Sequence, residues 1–92
     1  MGQAFLLVVG LEPEADDRVG VRVQLRAIQR TAALPETLRL SLVQPSGELV
    51  QSVEARSQDT IIQLKRFKCP PGTEFRIQVA IAAIVHTEDF VV

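Results

Sequence analysis

A small antiparallel all-β sandwich is the fold class this 92-residue sequence predicts, on three observations. Apolar residues recur at every second position in several short stretches, the period of a strand with one buried face. Turn residues punctuate the chain about every eight to twelve positions, the spacing of short strands in a sandwich. The hydrophobic content is 47%, drawn from Val, Ile, Leu and Ala with four Phe and neither Trp nor Tyr, so one aliphatic core can be filled in a single domain spanning residues 1–92.

The elements follow in order. Residues 3–10 (QAFLLVVG) are a continuous apolar run ending in Gly, which predicts a strand buried on both faces or tucked between sheets. Pro13 and the Asp16-Asp17 pair then supply turn chemistry, because Pro fixes φ and Asp side chains bond local amides. Val19 to Ala27 is the clearest amphipathic strand: Val19, Val21, Val23 and Leu25 face one way, Arg22, Gln24 and Arg26 the other. Residues 29–36 read as a crossing loop with room for one helical turn, which lets the chain change sheets. Leu38, Leu40 and Leu42 alternate again, and Pro45-Ser46-Gly47-Glu48 predicts a hairpin turn into a strand over residues 49–55.

Residues 60–82 organise the remainder. Ile62, Leu64 and Arg66 alternate with Gln63 and Lys65; after Pro70-Pro71-Gly72 the alternation resumes as Phe75, Ile77, Val79 and Ile81. These read as two strands joined by a tight loop. The chain ends in a further strand, with its break at Ala82-Ala83 or within residues 87–89. The total is about seven strands, the pattern of an immunoglobulin-like sandwich, and the Pro-Pro-Gly-Thr-Glu-Phe segment suits its fibronectin-type variant. Val23, Leu40, Leu64, Ile77 and Val79 are the expected shared core.

Composition removes several function classes. Ten Lys plus Arg against eleven Asp plus Glu leave a formal charge of -1, giving no net field toward nucleic acid or an anionic membrane. The near absence of aromatics leaves little surface for stacking on bases or sugars. A lone cysteine, Cys69, forms no internal disulfide and builds no zinc site by itself, which suits a reducing compartment and predicts a cytoplasmic location. The apolar run at residues 4–9 is too short for a membrane span and lacks the basic flank of a signal peptide.

Each chemical motif has a plainer reading beside it. The acidic residues 12–17 lack the ligand spacing and Gly pivot of a calcium loop, so a solvated turn is expected and no metal or cofactor site. His86, the only histidine, lies beside Thr87-Glu88-Asp89 but has no nucleophile elbow to serve, which predicts an exposed strand-end histidine. Cys69 follows Lys65, Arg66 and Lys68, whose charges favour thiolate, yet a small apolar residue packed at a loop is the expected role. Arg22, Arg26 and Arg39, with Lys65 and Lys68, would form a positive stripe if they shared one sheet face. Interspersed Glu48, Glu54, Asp59 and Glu74 favour an ordinary solvated face.

Several segments together carry a resemblance: PEADDRVGVRVQL, LPETLRLSLVQPSGE, ARSQDTIIQLKRF, PPGTEFRIQVAI and TEDFVV. The most specific pieces are Arg56-Ser57-Gln58-Asp59 leading into Ile62-Gln63-Leu64, then Pro71-Gly72, and Glu88-Asp89-Phe90. They resemble the C-terminal domain of the cyanobacterial domain-of-unknown-function family eighteen-twenty-two. The resemblance implies an intracellular bacterial protein and the C-terminal domain of a longer architecture, and it brings no catalytic residue. Cys69-Pro70 stands outside the family pattern.

The sequence therefore predicts a non-enzymatic protein-interaction or structural module, with a protein partner or the remainder of a longer chain as its counterpart. Its binding device would be an exposed strand edge or the polar face of Arg22, Arg26 and Arg39. The alternative is a nucleic-acid-associated regulatory domain that adds Lys65 and Lys68 to those arginines.

Overall fold

The computed structural model describes residues 5–28 and 33–92. Among the described residues there are eight strands and no helix: β1 (Phe5–Pro13), β2 (Val19–Ala27), β3 (Arg39–Val43), β4 (Leu49–Glu54), β5 (Ile61–Gln63), β6 (Phe67–Cys69), β7 (Glu74–Ile81) and β8 (Ile84–Val91). Every pairing is antiparallel. The first sheet sets β1 on one side of β2 and both β5 and β6 on the other, while the second runs β4-β3-β7-β8. The inner faces of the two sheets share one core, so the all-β, sandwich-like class is met.

The core follows the two-residue period. Val21, Val23, Leu25 and Ile62 project from the first sheet toward Leu40, Leu42, Phe75 and Ile77 of the second. Of the five expected core residues, Val23, Leu40, Leu64 and Ile77 are buried and Val79 is half-buried beside them. The loop between β2 and β3 crosses from one sheet to the other as expected. Its residues 29–32 lie outside the described residues, and residues 33–36 form no helix. Leu34, which the sequence leaves in that loop, is buried; its N–H donates to the Asp59 carbonyl at 2.6 Å.

Three expectations are corrected. The strands on either side of Pro70-Pro71-Gly72 are not a hydrogen-bonded pair, because β5 and β6 bond to β2 in the first sheet and β7 bonds to β3 and β8 in the second. The apolar run of β1 is not buried on both faces but forms an edge strand, with Leu6 and Leu11 exposed; residues 3–4 of that run lie outside the described residues. The strand that the alternation draws from Ile62 through Arg66 is broken, with residues 64–66 between β5 and β6. Gln63 opposes Gln24 and Phe67 opposes Val21, so three residues face two across the ladder, which is a β-bulge.

That one extra residue shifts the phase. Ile62 and Leu64 point inward on even numbers, and Phe67 and Cys69 on odd ones, so Arg66 escapes the inward position the alternation assigned it. The Lys65 peptide faces away from β2, since it is the Leu64 N–H that bonds the Val23 carbonyl. Gln51 of β4 engages it: its Nε2 donates to the Lys65 carbonyl at 3.1 Å and its Oε1 accepts from the Lys65 N–H at 3.0 Å. One side-chain amide thereby ties the edge of the second sheet to the edge of the first.

The break near the C-terminus falls at Ala82-Ala83, since Ile81 and Ile84 face each other across a two-residue turn. Ala82 holds φ 51°, a left-handed conformation in which a Cβ is disfavoured and Gly is not. Ala82→Gly is expected to stabilise the fold by about 0.5–1 kcal/mol after the flexibility Gly adds to the unfolded chain, read as a higher urea midpoint. A lower midpoint would contradict the strain. Leu64 is 3% exposed, so Leu64→Ala should cost about 2–5 kcal/mol in the same titration. A loss under about 0.5 kcal/mol, the range of surface changes, would mean that the bulge does not hold Leu64 in the core.

Candidate interaction site at the open edge

The five basic residues singled out by the sequence do not share a face. Arg22 and Arg26 project outward from β2, and Lys68, opposite Gly20, joins them on the outer face of the first sheet. Arg39 is on the outer face of the second sheet, where it is ion-paired with Glu54, its cross-strand neighbour. Lys65 sits in the bulge. Arg26 donates to Gln24 Oε1 at 2.9 Å, and Gln24 in turn donates to Gln63 at 2.9 Å, so part of that outer face is a hydrogen-bonded row.

Arg66 is the cation with the most defined surroundings. Its guanidinium lies over Gly20, crossing β2 to reach Glu14 Oε1 at 2.5 Å and Glu12 Oε2 at 3.4 Å. The Glu14 hydrogen bond raises the Arg66 pKa above its ordinary value; desolvation acts the other way, and the charges of Glu14 and Glu12 add to the rise. The side chain thus straps the bulge to the far end of β1. Two of the carboxylates in the acidic segment are thereby engaged internally. Cys69 is buried on the inner face of β6, and His86 is exposed on β8 opposite Val79.

A different feature stands out at the side of the sandwich away from Gln51. There β1 and β8 are the edges of their sheets, and a cleft of 310 Å³ opens between them. Phe5 and Leu7 form one wall, Leu25, Ile77 and Val79 the floor, and His86 and Glu88 the opposite rim. Leu11 continues the inward row of β1, opposite buried Val21, yet remains 56% exposed because the other sheet leaves it uncovered.

The backbone of β1 is free along this side. The Val23 carbonyl accepts from Leu64 N–H at 3.1 Å and the Ala27 N–H donates to the Thr60 carbonyl at 3.0 Å. Odd-numbered residues of β2 therefore turn their peptide groups away from β1, and the antiparallel register makes their opposites do the same. Phe5, Leu7, Val9 and Leu11 accordingly present N–H and C=O groups to the open side, where among the described residues no strand pairs with them.

The other three edges carry the features that discourage strand pairing. β8 turns His86 and Glu88 onto its inner side; β4 shifts register between Leu49 and Gln51, opposite Val43 and Leu42; β5 and β6 are short and bulged, with Lys65 between them and Lys68 in β6. β1 has none of these between Phe5 and Leu11. It is nine residues long, in unbroken register, and uncharged until Glu12.

Fold and edge together define an antiparallel β-sandwich with, among the described residues, a single unprotected edge strand. By sequence the chain belongs to the family described as Protein of unknown function (DUF1822), whose match covers residues 1–91. No curated protein and no solved structure matches it.

The segments most specific for the resemblance have architectural duties. In Arg56-Ser57-Gln58-Asp59, Asp59 Oδ2 accepts from the Arg56 N–H at 2.8 Å, and the same turn anchors Leu34. Gly72, at φ 86°, donates to the Val92 carbonyl at 2.7 Å. Asp89 pairs with Arg76 at 2.7 Å, and Phe90 stacks on Phe75 with ring centroids 5.2 Å apart.

The Arg66 strap gives a double-mutant test. A Cβ on Gly20 would collide with the guanidinium and lie 3.0 Å from Glu14 Oε1. Gly20→Ala should therefore destabilise the native chain, read as a lower urea midpoint, because the guanidinium must shift off its carboxylates. In an Arg66→Ala background the same change should be neutral or stabilising. Equal costs in both backgrounds would show that Arg66 does not occupy the space over Gly20.

Proposed function

We propose that this chain is a non-enzymatic protein-interaction module whose binding device is the free edge of β1 together with the apolar cleft beside it. The observation that carries the reading is the run of outward-turned peptide groups at Phe5, Leu7, Val9 and Leu11, bounded by uncharged side chains. An added strand would gain main-chain hydrogen bonds from the edge and selectivity from pockets for alternate side chains. The reading carries with it a cytoplasmic location, a place within a larger polypeptide or complex, and an immunoglobulin-like strand arrangement. Nucleic-acid binding is the weaker reading, because Arg39 is on the opposite sheet and paired and Arg66 is held by Glu12 and Glu14, which leaves, among the described residues, Arg22, Arg26 and Lys68 as the cations of the first sheet's outer face without an ion pair.

A comparative pull-down tests this. Native chain, Leu11→Lys and Thr87→Lys serve as baits at low and high salt, the first substitution placing a charge on the β1 edge and the second on β8. Partners retained at high salt by the native chain and Thr87→Lys but lost with Leu11→Lys are the expected outcome. Recovery of nucleic acid alone, only at low salt and sensitive to Arg22→Ala, would overturn the reading in favour of the basic face.

A further inference from the structure

We propose that the strand seated on the β1 edge is β1 of a second copy of this chain, in an antiparallel two-fold dimer centred on Val8. The inference rests on the reading of β1 as the binding device and names its occupant. A partner strand must run uncharged for seven residues, because both faces of β1 are apolar between Phe5 and Leu11: Leu6 and Val8 outward, Phe5, Leu7, Val9 and Leu11 inward, with Gly10 the one gap. Among the described strands of this chain only β1 itself meets that demand.

Symmetry and chemistry then fix the register. A two-fold axis perpendicular to a sheet keeps each side chain on its own face, so residues paired across it must be both odd or both even. Centring on Val9 would set Pro13, which has no N–H, against Phe5 and Glu12 against Leu6. Centring on Leu7 would set the apolar Leu11 against position 3, which is the polar Gln3 in the sequence. Centring on Val8 pairs Leu7 with Val9 and Phe5 with Leu11 of the other copy, all four through peptide groups that already point outward. On the outer face the exposed Leu6 meets Gly10, whose missing side chain leaves it room. On the inner face the exposed Leu11 meets the half-buried Phe5. The two most exposed apolar side chains of β1 are thus each given a partner by the same register, and no charge falls within it.

The experiment combines sedimentation with a register-specific crosslink on the intact chain. At about 100 µM the native chain should sediment as a dimer, Thr87→Lys should do the same, and Leu11→Lys should weaken association by about tenfold or more. Leu11 is exposed, so that variant should keep its circular dichroism spectrum; Leu11→Pro, which blocks a peptide group unused within the chain, is the second variant. In a Cys69→Ser background, Val8→Cys should oxidise to a disulfide-linked dimer, since opposed residues of a non-hydrogen-bonded pair lie within disulfide reach. Leu6→Cys should not, being offset from its own copy. A monomeric native chain, a dimer indifferent to Leu11→Lys and Leu11→Pro, open-ended aggregation, or crosslinking at Leu6 in place of Val8 would each overturn the proposal. A monomer whose high-salt partners still depend on Leu11 would leave the interaction-module reading standing and remove only the second copy.

Discussion

The structure depends on the two sheets being held together along one side. At that side the Gln51 amide makes both hydrogen bonds to the outward-facing Lys65 peptide, so the edges of β4 and of β5 and β6 are joined as though by one residue of a ladder. Nearby, Phe67 of the first sheet meets Phe75 of the second edge-on at 5.6 Å, and Phe75 stacks on Phe90. Nothing equivalent joins β1 to β8 among the described residues. The sandwich therefore gapes on that side, and Leu7, Val9 and Val79 are half-buried where a closed sandwich would bury them.

The bulge has a second consequence at the opposite side. By moving Arg66 to the outer face it allows one guanidinium to span β2 and hold Glu12 and Glu14. Gly20 is what permits the crossing, since any larger residue there would occupy the path. The far end of β1 is fixed in this way even though its outer edge pairs with nothing described. An edge strand held straight and in register loses little further freedom when another strand docks, which lowers the cost of association.

The two-residue period made much of this legible. Val21, Val23 and Leu25, Leu40 with Leu42, and Phe75 with Ile77 all point inward as the alternation requires, and Pro45-Ser46-Gly47 closes the hairpin it announces. The pairing of strands was not legible, because alternation assigns a face and says nothing of neighbours; Pro70-Pro71-Gly72 serves a sheet crossing as well as it would a hairpin. Arg66 did carry a signal. An arginine on the inward set of an otherwise apolar strand is a local conflict, and a bulge resolves it. Leu34 carried none, since one leucine in a loop has no period. The apolar run of β1 was misassigned for the reason that short uninterrupted runs are ambiguous: a fully buried strand and an edge awaiting a partner have the same composition.

That ambiguity is itself informative once the fold is known. Three surface arginines are engaged with neighbouring carboxylates across the two sheets, Arg39 with Glu54, Arg76 with Asp89 and Arg66 with Glu12 and Glu14. The other three sheet edges are guarded by inward-facing polar groups, a bulge or short length. What is left unsatisfied is the outer line of β1, polar in its backbone and apolar in its side chains. Water can satisfy the peptide groups but leaves Leu6 and Leu11 exposed, whereas a helix or a flat apolar surface could cover the leucines and would strand the peptides. A strand satisfies both at once, which is why the edge points to β-addition in preference to any contact made by side chains alone.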